Sequence, residues 1–125
     1  MKIAICCSTR FRPLIQEAIT TLEAMGHKPV FPDGENVSRE LPENELITHL
    51  AHEHHRAINE SDLVYFIVPD GYAGTSLKIE LGYAVGKDKL IYFSERTNDP
   101  ALDHYPLGFI PINELARLCS LIKVV

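Results

Sequence analysis

The sequence has 125 residues, the length of one domain, so we expect a single domain over residues 1–125. With 46% hydrophobic and 23% charged residues, it has the composition of an ordinary globular protein that needs no disulfide or metal to form a core. The formal net charge of −5 and the lack of a lysine- or arginine-rich stretch argue against nucleic acid as a partner, but not against a small anion held by local donors.

Two features of the sequence bear on the cellular compartment. The first residues lead directly into a strand-like apolar stretch without a cleavage site, and no apolar run reaches the roughly 18 residues of a membrane span. Cys6, Cys7 and Cys119 are an odd number without Cys-x-x-Cys spacing, which is typical of reduced interior thiols rather than of disulfides or a zinc site. We therefore expect a cytoplasmic protein that has no membrane partner.

The first third of the chain predicts the order β-α-β. The apolar run at residues 2–7 predicts a strand, and Pro13 stands where a helix begins, because its missing N–H needs no partner in the first turn. Apolar residues recur at helical spacing up to Gly26, which we predict to cap the C-terminal end of this helix. Residues 28–31 predict a second strand, and the next residues predict a polar loop that contains Pro32, Asp33, Gly34 and Asn36.

The rest of the chain continues this alternation. An amphipathic helix from Asn44 to about residue 61 precedes the apolar run 63–68, which predicts a central strand covered on both faces. Thr75 or Ser76 is predicted to cap a third helix that ends at Gly86. A strand at 90–93, a loop at 94–107, a strand at 108–111 and a helix from 113 to about 122 follow. The predicted apolar faces consist of Ile47, Leu50, Ala51 and Ile58 in one helix and of Leu77, Leu81, Ala84 and Val85 in the next.

Strands that alternate with helices of this length predict an α/β fold, a doubly wound parallel sheet of about five strands with helices on both faces. Ligands of such sheets bind beyond the carboxyl ends of the strands, where strand turns into helix. The first such turn offers the hydroxyls of Ser8 and Thr9, the guanidinium of Arg10 and free helix N–H groups, which suit an anion. A helix cap beside a solvated arginine explains the same residues equally well.

The second turn, residues 70–76, is rich in glycine and allows the backbone to approach a ligand closely. It matches neither a P-loop nor a G-x-G-x-x-G fingerprint, so it predicts no nucleoside triphosphate or dinucleotide cofactor. Glu80 follows on the inward, apolar face of the helix, three residues after Leu77. This carboxylate either pairs with an arginine at the rim, or it is partly desolvated and acts as a nucleophile or an acid/base group.

The chain has four histidines within seven residues, His49, His52, His54 and His55. Their order lacks the His-Glu-x-x-His spacing and no cysteine stands nearby, so we expect no metal. His54 differs from the others because it shares the apolar face with Ile58. It is either a core histidine or a proton donor at the edge of a pocket.

The run Gly-Tyr-Ala-Gly-Thr-Ser-Leu-Lys-Ile-Glu-Leu-Gly-Tyr-Ala at residues 71–84, followed by residues 87–93, resembles a motif of the nucleoside 2-deoxyribosyltransferase-like family. In that family a glycine-rich turn leads into a Glu-[Ile/Leu]-Gly-Tyr-Ala helix. The turn at residues 7–11 and the segment 54–68 also resemble a branch of this family. The resemblance therefore extends from Lys2 to Phe93.

This resemblance implies a flavodoxin-like homodimer without a cofactor that acts on the N-glycosidic bond of a nucleoside or nucleoside 5′-monophosphate. Glu80 matches the nucleophile that attacks the anomeric carbon, and His54 lines up with an aspartate that protonates the leaving base. The resemblance implies that residues of both turns bind the 5′-phosphate and that their neighbours in the glycine-rich turn also contact the substrate. They are Ser8, Thr9, Arg10, Asp70, Gly71, Tyr72 and Ser76.

Two other functions stay open at the level of the sequence. Residues 69–75 loosely imitate the Pro-Gly-Gly-x-Gly-Thr-x-x-Glu turn of phosphoribohydrolases, although the chain is short for them and lacks the second glycine. A non-catalytic module that binds a nucleotide or sugar phosphate would use the same fold and anion-binding turn. A Glu80 carboxylate directed toward solvent would favour such a module.

Overall fold

Five short strands form one parallel sheet in the computed structural model, which describes residues 1–32 and 41–121. Their order across the sheet is β2-β1-β3-β4-β5, and each neighbouring pair runs parallel. The strands are β1 (Lys2–Cys6), β2 (Lys28–Val30), β3 (Leu63–Phe66), β4 (Leu90–Phe93) and β5 (Gly108–Phe109). This doubly wound order, with its switch point between β1 and β3, confirms the predicted flavodoxin-like α/β fold.

Helices cover both faces of the sheet. The α-helices are α1 (Arg12–Ala24), α2 (Glu43–Glu60), α3 (Thr75–Gly86), α4 (Pro100–Asp103) and α5 (Leu118–Leu121). Short 3₁₀ helices span Thr9–Phe11, Pro69–Gly71 and Ile112–Arg117. The helix α1 and the last 3₁₀ helix pack on one face, whereas α2 and α3 pack on the other. None of the helices within residues 1–32 and 41–121 has the length and apolar character needed to cross a bilayer.

The central strand β3 divides the apolar interior into two clusters. Successive side chains of a strand point to opposite faces, so Leu63 and Tyr65 pack under α1, whereas Val64 and Phe66 pack under α2 and α3. All four side chains are fully buried, as the unbroken apolar run predicted. The ladder ends at Phe66, two residues before the predicted end of the strand.

The ends of α1 and α3 test the capping residues that the sequence predicts. Gly26 has a φ of 85° and donates its N–H to the Glu23 carbonyl, which confirms the predicted glycine cap. The predicted cap of α3 by Thr75 or Ser76 is wrong, because Gly74 is the N-cap and no side-chain hydrogen bond is formed there. Both residues lie within the first helical turn.

Three other predictions need correction, and some predicted features lie outside the residues that the structure describes. The predicted loop at 94–107 contains the short helix α4, and the predicted last helix is a 3₁₀ helix followed by the single turn α5. Val85 is partly rather than fully buried. The predicted loop residues Asp33, Gly34 and Asn36, the end of the last helix at residue 122 and the side chain of Cys119 lie outside what the structure describes.

Candidate active site

A cavity of about 400 Å³ opens at the carboxyl end of the sheet, beside the switch point between β1 and β3. The turn after β1, the glycine-rich turn and the facing sides of α2 and α3 form its walls. Its volume and place are those of a small-molecule site in a doubly wound sheet. Six of the nine residues that the resemblance implies in catalysis or substrate binding line it, namely Ser8, Thr9, His54, Tyr72, Ser76 and Glu80.

Glu80 and His54 meet in this cavity because α2 and α3 pack against each other. The Oε1 atom of Glu80 lies 3.4 Å from Nδ1 of His54, and the two side chains are only 12% and 14% exposed. Of the two interpretations left open for Glu80, the geometry therefore matches the partly desolvated carboxylate. Its ionisable neighbour is a histidine and not an arginine.

Burial disfavours the charged form of both groups. It raises the pKa of Glu80 to about 7, and a hydrogen bond with the Cys6 thiol acts in the opposite direction. Burial also holds the pKa of His54 below its ordinary value; a hydrogen bond with the Pro32 backbone opposes this, and His55 reinforces it. The raised pKa of Glu80 lets its carboxyl group exchange a proton near neutral pH.

Neighbouring rings fix the orientation of the two adjacent histidines. The Phe31 ring meets the His54 ring edge-on, with centroids 5.5 Å apart. The His55 ring stacks on Tyr83 of α3 at 4.5 Å, and both His54 and His55 line the cavity. Because these contacts join separate elements, the helical pattern of α2 could reveal the position of His54 but not the stacking of His55.

The turn after β1 combines a helix cap with an aromatic cluster. The Ser8 hydroxyl accepts the N–H of Arg10 at 3.4 Å and thereby caps the first 3₁₀ helix. The Arg10 guanidinium lies over the rings of Tyr72 and Phe11, at 4.8 and 5.3 Å. Arg10 is exposed and stands at the rim, since it contacts Tyr72 of the cavity wall without lining the cavity itself.

Asp70 and Gly71 lie outside the cavity lining. Both have left-handed backbone conformations, with φ values of 53° and 79°. A Cβ atom on Gly71 would stand 3.2 Å from backbone atoms of Arg96 and Asn98, so this glycine allows the loop after β4 to approach closely. The glycine on the cavity wall is Gly74, beside the Tyr72 hydroxyl.

Two buried thiols interact electrostatically with the Glu80 carboxylate, whereas the sequence indicated only reduced interior thiols. Burial, reinforced by the nearby Glu80, raises the pKa of Cys7 to about 12 and also raises the pKa of Cys6. Both side chains are free thiols, and Cys7 lines the cavity. Among residues 1–32 and 41–121, no three His, Cys, Asp or Glu side chains are grouped closely enough to hold a metal ion.

Part of the cavity wall is apolar and faces outward. Ile47 of α2 and Ile79 of α3 are 59% and 58% exposed, yet both line the cavity together with Leu50 and Ala51. The predicted apolar face of α2 therefore packs against the sheet only near Ile58. Toward its N-terminal half the same face borders the cavity.

Two solved structures share the fold of this chain. A 2-deoxyribosyltransferase from Bacillus psychrosaccharolyticus matches 92% of this chain and 90% of its own, with a TM-score of 0.71 and 18% identity. A CMP N-glycosidase from Clostridium botulinum matches 94% of this chain and 98% of its own, with a TM-score of 0.56 and 18% identity. No family model and no curated protein matches the chain. At 18% identity, these two likenesses show a shared fold.

Proposed function

We propose that this protein cleaves or transfers the N-glycosidic bond of a nucleoside or nucleoside 5′-monophosphate, with Glu80 as the nucleophile. The observation that carries the proposal is the buried Glu80 carboxylate on the wall of the cavity beside the switch point. A desolvated carboxylate in a cleft is a group suited to covalent catalysis. The two proteins that share the fold are named for reactions at this kind of bond, which adds support.

The proposed reaction has two steps. In the first, ionised Glu80 attacks the anomeric carbon, the carbon–nitrogen bond breaks, and the leaving base takes the electron pair and a proton from His54. In the second, water or another base attacks the anomeric carbon of the glycosyl ester and gives its proton to the now neutral His54, and the Glu80 carboxylate leaves. Two displacements retain the configuration at that carbon. The active state is the singly protonated pair whose proton lies on His54.

We propose that the turn after β1 and the start of α3 hold the 5′ end of the substrate. Ser8, Thr9 and Ser76 line the cavity, and α3 begins without a side-chain cap, so its first N–H groups remain available to a ligand. Tyr72 would supply an aromatic wall for the base or sugar. For Asp70 and Gly71 we propose a supporting role, in which they direct the chain into Tyr72.

Replacing Arg10 with alanine should weaken binding of a 5′-monophosphate by about 1.5 to 3 kcal/mol and leave binding of the nucleoside nearly unchanged, because a charge-assisted hydrogen bond is lost. Titration calorimetry with both ligands measures the difference. Arg96→Ala is the matched control, since Arg96 also lies over a ring, that of Phe109, but away from the cavity. Equal losses for the two ligands would remove the phosphate role of Arg10.

The substrate class is tested by incubating the purified protein with each common nucleoside and 5′-monophosphate and separating the products by chromatography. We expect free base from at least one of them. If none releases base while one binds, the non-catalytic binding module replaces this proposal. The burial of Glu80 favours the enzyme, because a module that only binds has no use for a carboxylate held in this position.

We also propose a homodimer in which a second copy covers the outward-facing apolar wall. Ile47 and Ile79 are exposed, and a second copy that covered them would remove their side chains from water. This burial would stabilise the dimer by about 25 cal/mol for each Å² of apolar surface. Ile47→Glu should therefore convert a dimer into a monomer in size-exclusion chromatography with light scattering. Leu107→Glu is the control, because Leu107 is 64% exposed but lies outside the cavity wall. A wild-type monomer at micromolar concentration, or a dimer that survives Ile47→Glu, would contradict the proposal.

A further inference from the structure

His55 is held at the cavity by an aromatic stack whose second ring belongs to another helix. Its imidazole lies nearly parallel to the Tyr83 ring of α3, with 12° between the ring planes and 4.5 Å between the centroids. The Nζ atom of Lys87 lies 5.6 Å from the centroid of the same tyrosine ring. One side of the imidazole is therefore occupied, and the stack orients the ring relative to α3.

The stack does not use the ring nitrogens of His55. Within residues 1–32 and 41–121, no hydrogen bond reaches either nitrogen, although His55 lines the cavity and is only partly exposed. In the neighbouring His54, by contrast, Nδ1 lies 3.4 Å from the Glu80 carboxylate. An imidazole nitrogen can donate or accept a hydrogen bond, and the few polar groups on a cavity wall are those that orient a ligand. His55 therefore offers the cavity a hydrogen-bonding group that the protein itself does not engage.

The helix α3 sets the order in which the parts of a substrate lie along the cavity. Ser76 precedes Glu80 by four residues and Tyr83 follows it by three, so all three residues lie on one side of the helix. Along the helix axis, Ser76 is about 6 Å from Glu80 and Tyr83 is about 4.5 Å from it in the opposite direction. A nucleoside 5′-monophosphate has its anomeric carbon between the phosphate and the base. With the phosphate at the start of α3 and the anomeric carbon at Glu80, the base extends toward the stack of His55 on Tyr83.

We propose that His55 recognises the base of the substrate through a hydrogen bond of its imidazole, and that Tyr83 is the positioning residue that holds this ring. The placement rests on the proposed function, which assigns the anomeric carbon to Glu80 and the 5′-phosphate to the start of α3. A hydrogen bond selects among bases, because a base without the matching group leaves a polar partner unpaired. His55 is thus a specificity-determining residue, separate from His54, which transfers the proton.

The test compares nucleotides with a ligand that has no base. Binding of the 5′-monophosphates of adenosine, guanosine, cytidine, uridine and thymidine, and of ribose 5-phosphate, is measured by calorimetry in Glu80→Gln, which removes turnover. Adding His55→Phe keeps a ring on Tyr83 and removes the two nitrogens. We expect the Kd of the tightest nucleotide to rise by about 3- to 10-fold and the differences among the five nucleotides to narrow. The Kd of ribose 5-phosphate should stay unchanged.

A second histidine of α2 supplies the matched control. His52 is exposed and lies outside the cavity wall, so adding His52→Phe to Glu80→Gln should alter no Kd. Tyr83→Phe keeps the stack and should bind the nucleotides as the parent does, whereas Tyr83→Ala should show the loss seen with His55→Phe. If His55→Phe does not fold, His55→Leu removes the nitrogens in a smaller side chain and should give the same result.

An unchanged nucleotide Kd in His55→Phe, or an equal rise for ribose 5-phosphate, would overturn the role of His55. The two proposals fail separately. Base-dependent binding that is lost in His55→Phe, without release of base by the wild type, would contradict the proposed function alone. Release of base by the wild type, with a nucleotide Kd that His55→Phe does not change, would contradict the role of His55 alone.

Discussion

Glu80→Gln should abolish base release and at the same time stabilise the protein at alkaline pH. Loss of the nucleophile removes the covalent route, so we expect the rate to fall by about 10⁴-fold or more. The amide has nearly the same shape and can still face His54, so nucleotide binding should persist. Single-turnover chromatography and binding calorimetry on the same preparation separate the two effects.

The gain in stability follows from the pKa of Glu80. This pKa is raised from 4.5 to about 7 in the folded protein, so the folded state holds the proton more tightly than the unfolded state. The stability due to this proton is complete below pH 4.5 and is lost as the pH rises through 7. Glutamine carries no charge, so the variant should be more stable than the wild type by about 3 kcal/mol at pH 8 and nearly equal at pH 4.

Urea denaturation at the two pH values measures this difference. Glu23→Gln is the matched control, because Glu23 is exposed on α1, and it should alter neither stability nor turnover. A Glu80→Gln variant that is destabilised equally at both pH values would indicate a purely structural carboxylate. Retained turnover would contradict the mechanism.

His54→Asn should lower the rate of base release by about 10²- to 10⁴-fold and change its pH dependence. In the wild type the rate rises with pH as Glu80 ionises and falls with pH as His54 loses its proton, so kcat/KM should pass through a maximum below the pKa of Glu80. In the variant the fall is lost, and the rate should rise through the pKa of Glu80 to a plateau.

A substrate with a better leaving group needs less protonation of the leaving base. Its rate of base release should therefore fall much less in His54→Asn. His55→Asn is the matched control for the pH profile, because His55 also lines the cavity but stacks on Tyr83. It should keep the fall at alkaline pH. Equal losses for both substrates, or a variant that keeps the alkaline fall, would assign His54 to positioning or packing.

Local patterns in the sequence predicted most of the fold. Strand β3 reads as a continuous apolar run because both of its faces are covered, and Gly26 follows α1 where a left-handed residue is needed. The last helix was predicted from the same helical spacing but is largely 3₁₀. The φ of −118° at Glu114 interrupts it, and apolar spacing over so few residues does not distinguish the two helix types.

The candidate site was predictable where one element carried the signal. Glu80 and His54 each stand out on the apolar face of their own helix, and the structure brings them together. The stacking of His55 on Tyr83 and the packing of Gly71 against the loop after β4 were not predictable. Both depend on contacts between elements that are distant in sequence, which no local pattern records.

The central claim, that Glu80 forms a covalent bond with the sugar, is tested most directly by trapping the intermediate. The protein is incubated with a slow 2-fluoro-sugar analogue of whichever nucleoside the screen identifies, then digested and analysed by mass spectrometry. We expect the mass of the fluorinated sugar on the peptide that contains Glu80 and no such mass in Glu80→Gln. Base released in stoichiometric amount without an adduct, or an adduct on another peptide, would contradict the role of Glu80 as nucleophile.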